Sequence, residues 1–84
     1  MITLHYFASI REAAGRSSES LALPREVSNV QGLIRFLASR EPSMQAMLND
    51  EKGVLVAVNQ TVVDRSFQLA GDEEVALFPP MTGG

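Results

Sequence analysis

Ile2, Leu4, Tyr6 and Ala8 alternate with Thr3, His5, Phe7 and Ser9, the period-two pattern of a strand with one buried face. Ser9 and Glu12 have capping-box spacing and Gly15 offers a left-handed stop, so a single helical turn is expected to close this strand. Leu21 and Leu23 then alternate with Ser20 and Ala22 ahead of Pro24, and the two strands read as a hairpin. Val30, Leu33, Ile34, Leu37 and Ala38 recur at helical spacing, which predicts one main helix with a single apolar face. Ser28 with Gln31 forms a second capping box, and Glu41-Pro42 ends the helix. Gly32 inside it is expected to permit close packing on the sheet. Met44, Met47 and Leu48 predict a short helix from Pro42, with the methionines filling core.

After a polar turn from Asn49 to Gly53, Val54-Leu55-Val56-Ala57-Val58 is an unbroken apolar run of strand length, the pattern of a strand covered on both faces. Asn59-Gln60 turns the chain, Val62-Val63 predicts a brief edge strand, and Gly71-Asp72 makes a last turn before Glu74-Val75-Ala76-Leu77-Phe78. A hairpin, a helix and two or three further strands predict an α+β domain, with one helix packed on a sheet. The order fits a β-grasp arrangement, in which the first and last strands lie side by side. The domain is expected over residues 1–78 and an extended tail over 79–84.

That tail, Pro79-Pro80-Met81-Thr82-Gly83-Gly84, is the strongest candidate for chemistry. Two prolines favour extended geometry and should carry the chain away from the body as a pre-organised arm. At about 3.3 to 3.6 Å per residue the arm would reach roughly 20 Å into a partner. Gly83 and Gly84 lack a Cβ and can thread a channel too narrow for other residues, so the Gly84 carboxylate is the candidate reacting group.

Composition removes most other classes. The 84 residues contain no cysteine and one histidine, His5, so thiol chemistry, disulfides and a classical zinc site are excluded. A formal charge of −3 argues against nucleic acid and favours partners that offer basic groups. The apolar runs are too short to span a membrane and the N-terminus lacks a signal pattern, so a cytoplasmic protein is expected. No catalytic constellation can be assembled. Asp72, Glu73 and Glu74 read as a solvated rim, and His5 as a surface residue. Phe7 and Phe78 break the binary pattern: if their neighbours face the core, both point outward. With Val62 they are expected to form an apolar partner-binding patch at the base of the tail.

Tyr6-Phe7-Ala8 with Arg11-Glu12 and Gly15, Ala57-Val58-Asn59-Gln60, and above all Leu77-Phe78-Pro79-Pro80-Met81-Thr82-Gly83-Gly84 resemble the small, sulfur-carrier subunit of molybdopterin synthase, a ubiquitin-like β-grasp family with a flexible Gly-Gly tail. The resemblance implies that an ATP-dependent, ubiquitin-activating-like enzyme adenylates Gly84, and that a sulfur donor protein converts it to a thiocarboxylate. It implies that the arm then delivers sulfur to cyclic pyranopterin monophosphate in the large subunit, within a heterotetramer. Catalytic groups are then expected in the partner, with no cofactor bound tightly by this chain and ATP used by the activating enzyme. One departure is that Ala70-Gly71-Asp72-Glu73-Glu74 stands where the family usually has Asp-Gly-Asp-Glu, with the glycine displaced by one position. Two alternatives remain: a thiazole-pathway sulfur carrier, against which Pro79-Pro80 argues, and a ubiquitin-like module that binds non-covalently or is conjugated to lysines.

Overall fold

The computed structural model describes residues 1–50 and 53–80. Expectations for Met81, Thr82, Gly83 and Gly84, and part of the Asn49-to-Gly53 turn, lie outside the described residues. Five strands, β1 (Ile2–Tyr6), β2 (Ser18–Leu21), β3 (Leu55–Val58), β4 (Thr61–Val63) and β5 (Glu74–Phe78), form one mixed sheet in the order β2-β1-β5-β3-β4. The first and last strands pair in parallel, with Leu4 opposite Val75 and Tyr6 opposite Leu77. The other pairings are antiparallel. The elements joining the strands are α1 (Ala8–Ala14), α2 (Val30–Arg40), a 3₁₀ turn at Pro42–Met44 and α3 (Gln45–Asn49). This is the ubiquitin-like β-grasp fold, with the strand content and the central helix that the hydrophobic pattern predicts.

The core lies between α2 and one face of the sheet. Leu33, Ile34 and Leu37 of the helix meet Ile2, Leu4, Tyr6, Val75 and Leu77, and Met44 and Leu48 complete the layer. At the sheet edge the buried Tyr6 hydroxyl donates to Glu19 Oε2 at 2.6 Å, and Arg40 at the end of α2 reaches the same oxygen at 2.7 Å. Burial, reinforced by the hydrogen bond and charge of Glu19, pushes the Tyr6 phenol well above its ordinary range. The helix C-terminus is thus tied to the β1–β2 pair by a carboxylate that accepts from both elements.

Several local expectations are corrected. Helix α1 has two turns, and Phe7, not Ser9, is its N-cap, with no side-chain cap bond. Phe7 ends β1 in extended geometry and its carbonyl accepts from Ile10 and Arg11, so the helix starts from the strand's own backbone. Burial of Ile10 and Ala14, four apart on one face, stabilises the second turn. Gly15 does provide the left-handed stop, at φ 76°. In α2 the cap is Asn29, whose Oδ1 accepts from Gly32 N at 2.9 Å, and Ser28 is bypassed. Gly32 makes its close approach to that cap: a Cβ there would sit 3.4 Å from Asn29 Oδ1 and from Val27 Cγ1, not against the sheet. The β3 run is covered unevenly on its outer face, where Ala57 is buried at 9% exposure between its partners Ala76 and Val62. Val54, Val56 and Val58 enter the core, whereas Leu55 is 37% exposed. The helices all pack on one side of the sheet, so the apolar residues at Leu55 and Ala57 have another cause.

Candidate functional site

Strand register gathers the other face of the sheet into a single surface. Ala57 of β3 pairs with both Ala76 of β5 and Val62 of β4, Leu55 pairs with Phe78, and His5 of β1 pairs with Ala76. Paired residues share a face, so Leu55, Ala57, Val62, Ala76 and Phe78 lie together on the side away from α2. Phe7 joins them from the end of β1: its N–H donates to the Leu77 carbonyl at 3.1 Å, which fixes it beside the last residues of β5. Phe7 is 50% exposed and Val62 62%, while Phe78 is half-buried. Exposed apolar side chains gathered on one face make it the candidate docking surface of the domain.

The structure therefore brings Phe7, Val62 and Phe78 to one face and adds Leu55, Ala57 and Ala76, which the sequence reading missed. A signal was present, since Leu55 and Ala57 alternate with the core valines. The unbroken apolar run masked it. Beyond Phe78, Pro79 and Pro80 continue without regular structure, so the arm begins where this apolar surface ends. A shallow hollow of about 260 Å³, lined by His5, Phe7, Ala57, Gln60, Glu74 and Ala76, runs along the middle of the face. His5 lies there half-exposed, its Nε2 3.8 Å from Glu74 Oε1.

The opposite end of the face is polar. Asn59 and Gln60 both take positive φ, 49° and 71°, as a two-residue hairpin turn requires, and Asn59 Oδ1 accepts from Glu74 N at 3.0 Å. The acidic run beside it is not uniformly a solvated rim. Asp72 and Glu74 are exposed, but Glu73 is buried and its carboxylate accepts from the N–H groups of Ala70, Gly71 and Asp72 at 2.6, 2.8 and 3.1 Å. Gly71 at φ 112° supplies the bend that points these donors inward, so the displaced glycine still shapes the turn. Burial alone would raise the Glu73 carboxyl, but the backbone N–H groups of Ala70, Gly71, Glu73 itself and Asp72 more than offset it and hold it below the ordinary range. A carboxyl lowered in the folded state stabilises the fold above its unfolded value, about 4.3, and that contribution is lost as pH falls through the folded value. Urea midpoints at pH 7 and pH 3 should accordingly differ more for the native chain than for Glu73→Gln. An equal acid loss in the two would show that the turn does not depend on the ionised carboxylate. Among the described residues no group of three or more His, Cys, Asp or Glu could hold a metal, and no helix is long and apolar enough to cross a membrane.

The model of the ThiS family matches residues 4–84. The chain belongs to the ThiS family. Among members of known role, it is similar to the molybdopterin synthase sulfur carrier subunit of Escherichia coli K12, 37% identical over 84 residues and covering 100% of both chains. A solved structure from Pyrococcus furiosus, named as subunit 1 of a molybdopterin converting factor, superposes with a TM-score of 0.80 at 29% identity, covering 95% of this chain and 97% of that one. A complex of subunits 1 and 2 of the Helicobacter pylori molybdopterin-converting factor contains a chain with the same fold, at TM-score 0.66 and 17% identity over 99% of this chain and 97% of that one.

Proposed function

We propose that this chain carries sulfur on Gly84 for molybdopterin synthase. The observation that supports this most is the joining of two features: an outward apolar face around Phe7, Leu55, Val62 and Phe78, and a Pro-Pro-Met-Thr-Gly-Gly segment that begins at its edge. The face docks the body on a partner and the arm enters the partner's site. The name carried by the E. coli relative, similar along its whole length, favours the same role.

A terminal carboxylate, with a pKa near about 3.5, is ionised at neutral pH and resists nucleophiles, so it needs activation. An ATP-dependent adenylating enzyme joins the Gly84 carboxylate to AMP and releases pyrophosphate. A sulfur donor protein bearing a cysteine persulfide then attacks the acyl carbon through its outer sulfur, AMP departs, and a thiol reductant cleaves the S–S bond of the resulting acyl disulfide, which leaves a thiocarboxylate on Gly84 and returns the donor cysteine. In the large subunit that sulfur attacks cyclic pyranopterin monophosphate, and two such transfers build a dithiolene. The subunit 1–subunit 2 complex from H. pylori supports a large-subunit partner. This chain contributes the nucleophile and the docking surface, and ATP is consumed by the activating enzyme. A cytoplasmic location and a heterotetramer with the large subunit complete the reading.

Intact mass of the purified chain, after incubation with the adenylating enzyme, ATP and a sulfur donor, tests it directly. The expected result is a single oxygen-to-sulfur exchange that fragmentation places on Gly84. Pyrophosphate release without that exchange, or no pyrophosphate release at all, would refute the carrier role.

A further inference from the structure

An activated acyl group on an arm roughly 20 Å in reach is exposed to every amine and thiol nearby, including those of the carrier itself. The chain is poor in both. It has no cysteine, and of its seven cationic side chains six are arginine, at positions 11, 16, 25, 35, 40 and 65, with Lys52 the one lysine.

Geometry accounts for two of the arginines. Arg16 bridges Glu19 and Glu41 through separate nitrogens, each at 3.0 Å. Arg40 reaches Glu19 at 2.7 Å and lies 5.7 Å from the Phe36 ring centroid. A lysine ammonium reproduces neither the fork nor the stack. Arg11, Arg25 and Arg35 differ: all three are exposed, and their side chains make no hydrogen bond or ion pair with any of the described residues. For solubility alone lysine would serve equally well at these positions.

What separates the two residues there is reactivity. A guanidinium has a pKa above about 12, stays protonated and is not nucleophilic, whereas a lysine amine, near about 10.4, keeps a neutral fraction that adds to activated carbonyls. Arg11 is placed where this matters most. Its N–H bonds to the Phe7 carbonyl at 3.3 Å, and the Phe7 N–H bonds to Leu77, so α1 holds Arg11 within one helical turn of the strand end from which the arm departs.

We infer that Arg11, held at the root of the arm, protects the activated C-terminus from attack by the carrier itself, reserving the Gly84 acyl group for a sulfur nucleophile. This rests on the carrier reading above. The reaction avoided is aminolysis: an amine nitrogen adds to the Gly84 carbonyl carbon, the bond from that carbon to the adenylate oxygen breaks, AMP leaves with the bonding pair, and the amine passes a proton to solvent. The product is an isopeptide, either within one chain or between two copies, that can no longer accept sulfur.

The test uses full-length chains, native, Arg11→Lys and Arg35→Lys, in two forms. In one, the adenylating enzyme and ATP are supplied and the sulfur donor is withheld. In the other, the chain is made with a C-terminal alkyl thioester at Gly84, which is activated without any enzyme. Intact mass and peptide mapping then distinguish hydrolysis from acylation at the introduced lysine, at Lys52 or at the N-terminal amine. The lysine of Arg11→Lys should raise the isopeptide share several-fold over the native chain. At about 10 μM chain, an amine within reach of its own arm acts at an effective concentration on the order of 1 mM, about a hundredfold above that of other copies. The Arg11→Lys product should therefore be intrachain and independent of dilution. An Arg11→Lys chain that takes up no more acyl group than the native chain would overturn the inference. Absence of pyrophosphate release in the enzyme arm would instead refute the carrier reading, while the thioester arm still reports on Arg11.

Discussion

Deleting Gly84, or adding one residue after it, should abolish sulfur transfer to the pyranopterin substrate while leaving thermal unfolding of the domain unchanged. The reasoning is geometric. The core is closed by residues of β1, β3, β5 and the helices, and Leu77 is the last of the described residues that enters it. A shortened arm moves the terminal carbonyl by one residue, about 3.3 to 3.6 Å, and displacements far smaller than that already cost orders of magnitude in rate at a reacting centre. The measurement is product formation with purified large subunit and activating enzyme, beside a melting curve. Transfer that survives the deletion would mean that the reacting group is not Gly84.

Phe7→Ala should weaken binding to the large subunit by a factor of roughly thirty or more, since aromatic anchors at the centre of an interface commonly cost about 2 kcal/mol on truncation. Phe7 is half exposed in the isolated chain, so its loss should destabilise the monomer far less than Leu33→Ala. Leu33 is fully buried between α2 and the sheet, and emptying such a site costs about 2 to 5 kcal/mol. Titration calorimetry and urea unfolding on the two variants should therefore rank them in opposite orders. If Phe7→Ala unfolds as readily as Leu33→Ala while binding normally, the open face is not the docking surface. Phe78 is a less clean probe, because it is half-buried and its truncation would disturb both quantities.

Much of the fold could be read from periodicity. The alternation in β1 and β5, the apolar stripe of α2 and the left-handed stop at Gly15 all follow from local rules, and each is where those rules put it. The capping boxes at Ser9 and Ser28 failed for a shared reason: the motif records what a side chain could do, and in each case a neighbour did it first. Phe7 starts α1 from backbone already fixed by pairing with β5, and Asn29 stands one residue closer to the N–H that needs an acceptor. β3 failed at Leu55 and not at Ala57, which is buried. An apolar run signals burial on both faces only if both faces are covered within the same chain, and a surface kept for a partner gives the same signal. Glu73 was hidden because a carboxylate folded over its own turn looks, in sequence, like any acidic residue near a glycine.

The central position of β5 also bears on how the domain is made. The sheet consists of two antiparallel pairs, β2–β1 and β3–β4, and no strand pairing joins them except through β5, which is synthesised after all four. Until residues 74–78 emerge from the ribosome, each pair carries an unpaired edge and an uncovered apolar face. The nascent chain is consequently a poor template for stepwise assembly. Folding should occur as one late event, with long-range parallel pairing as its slow step.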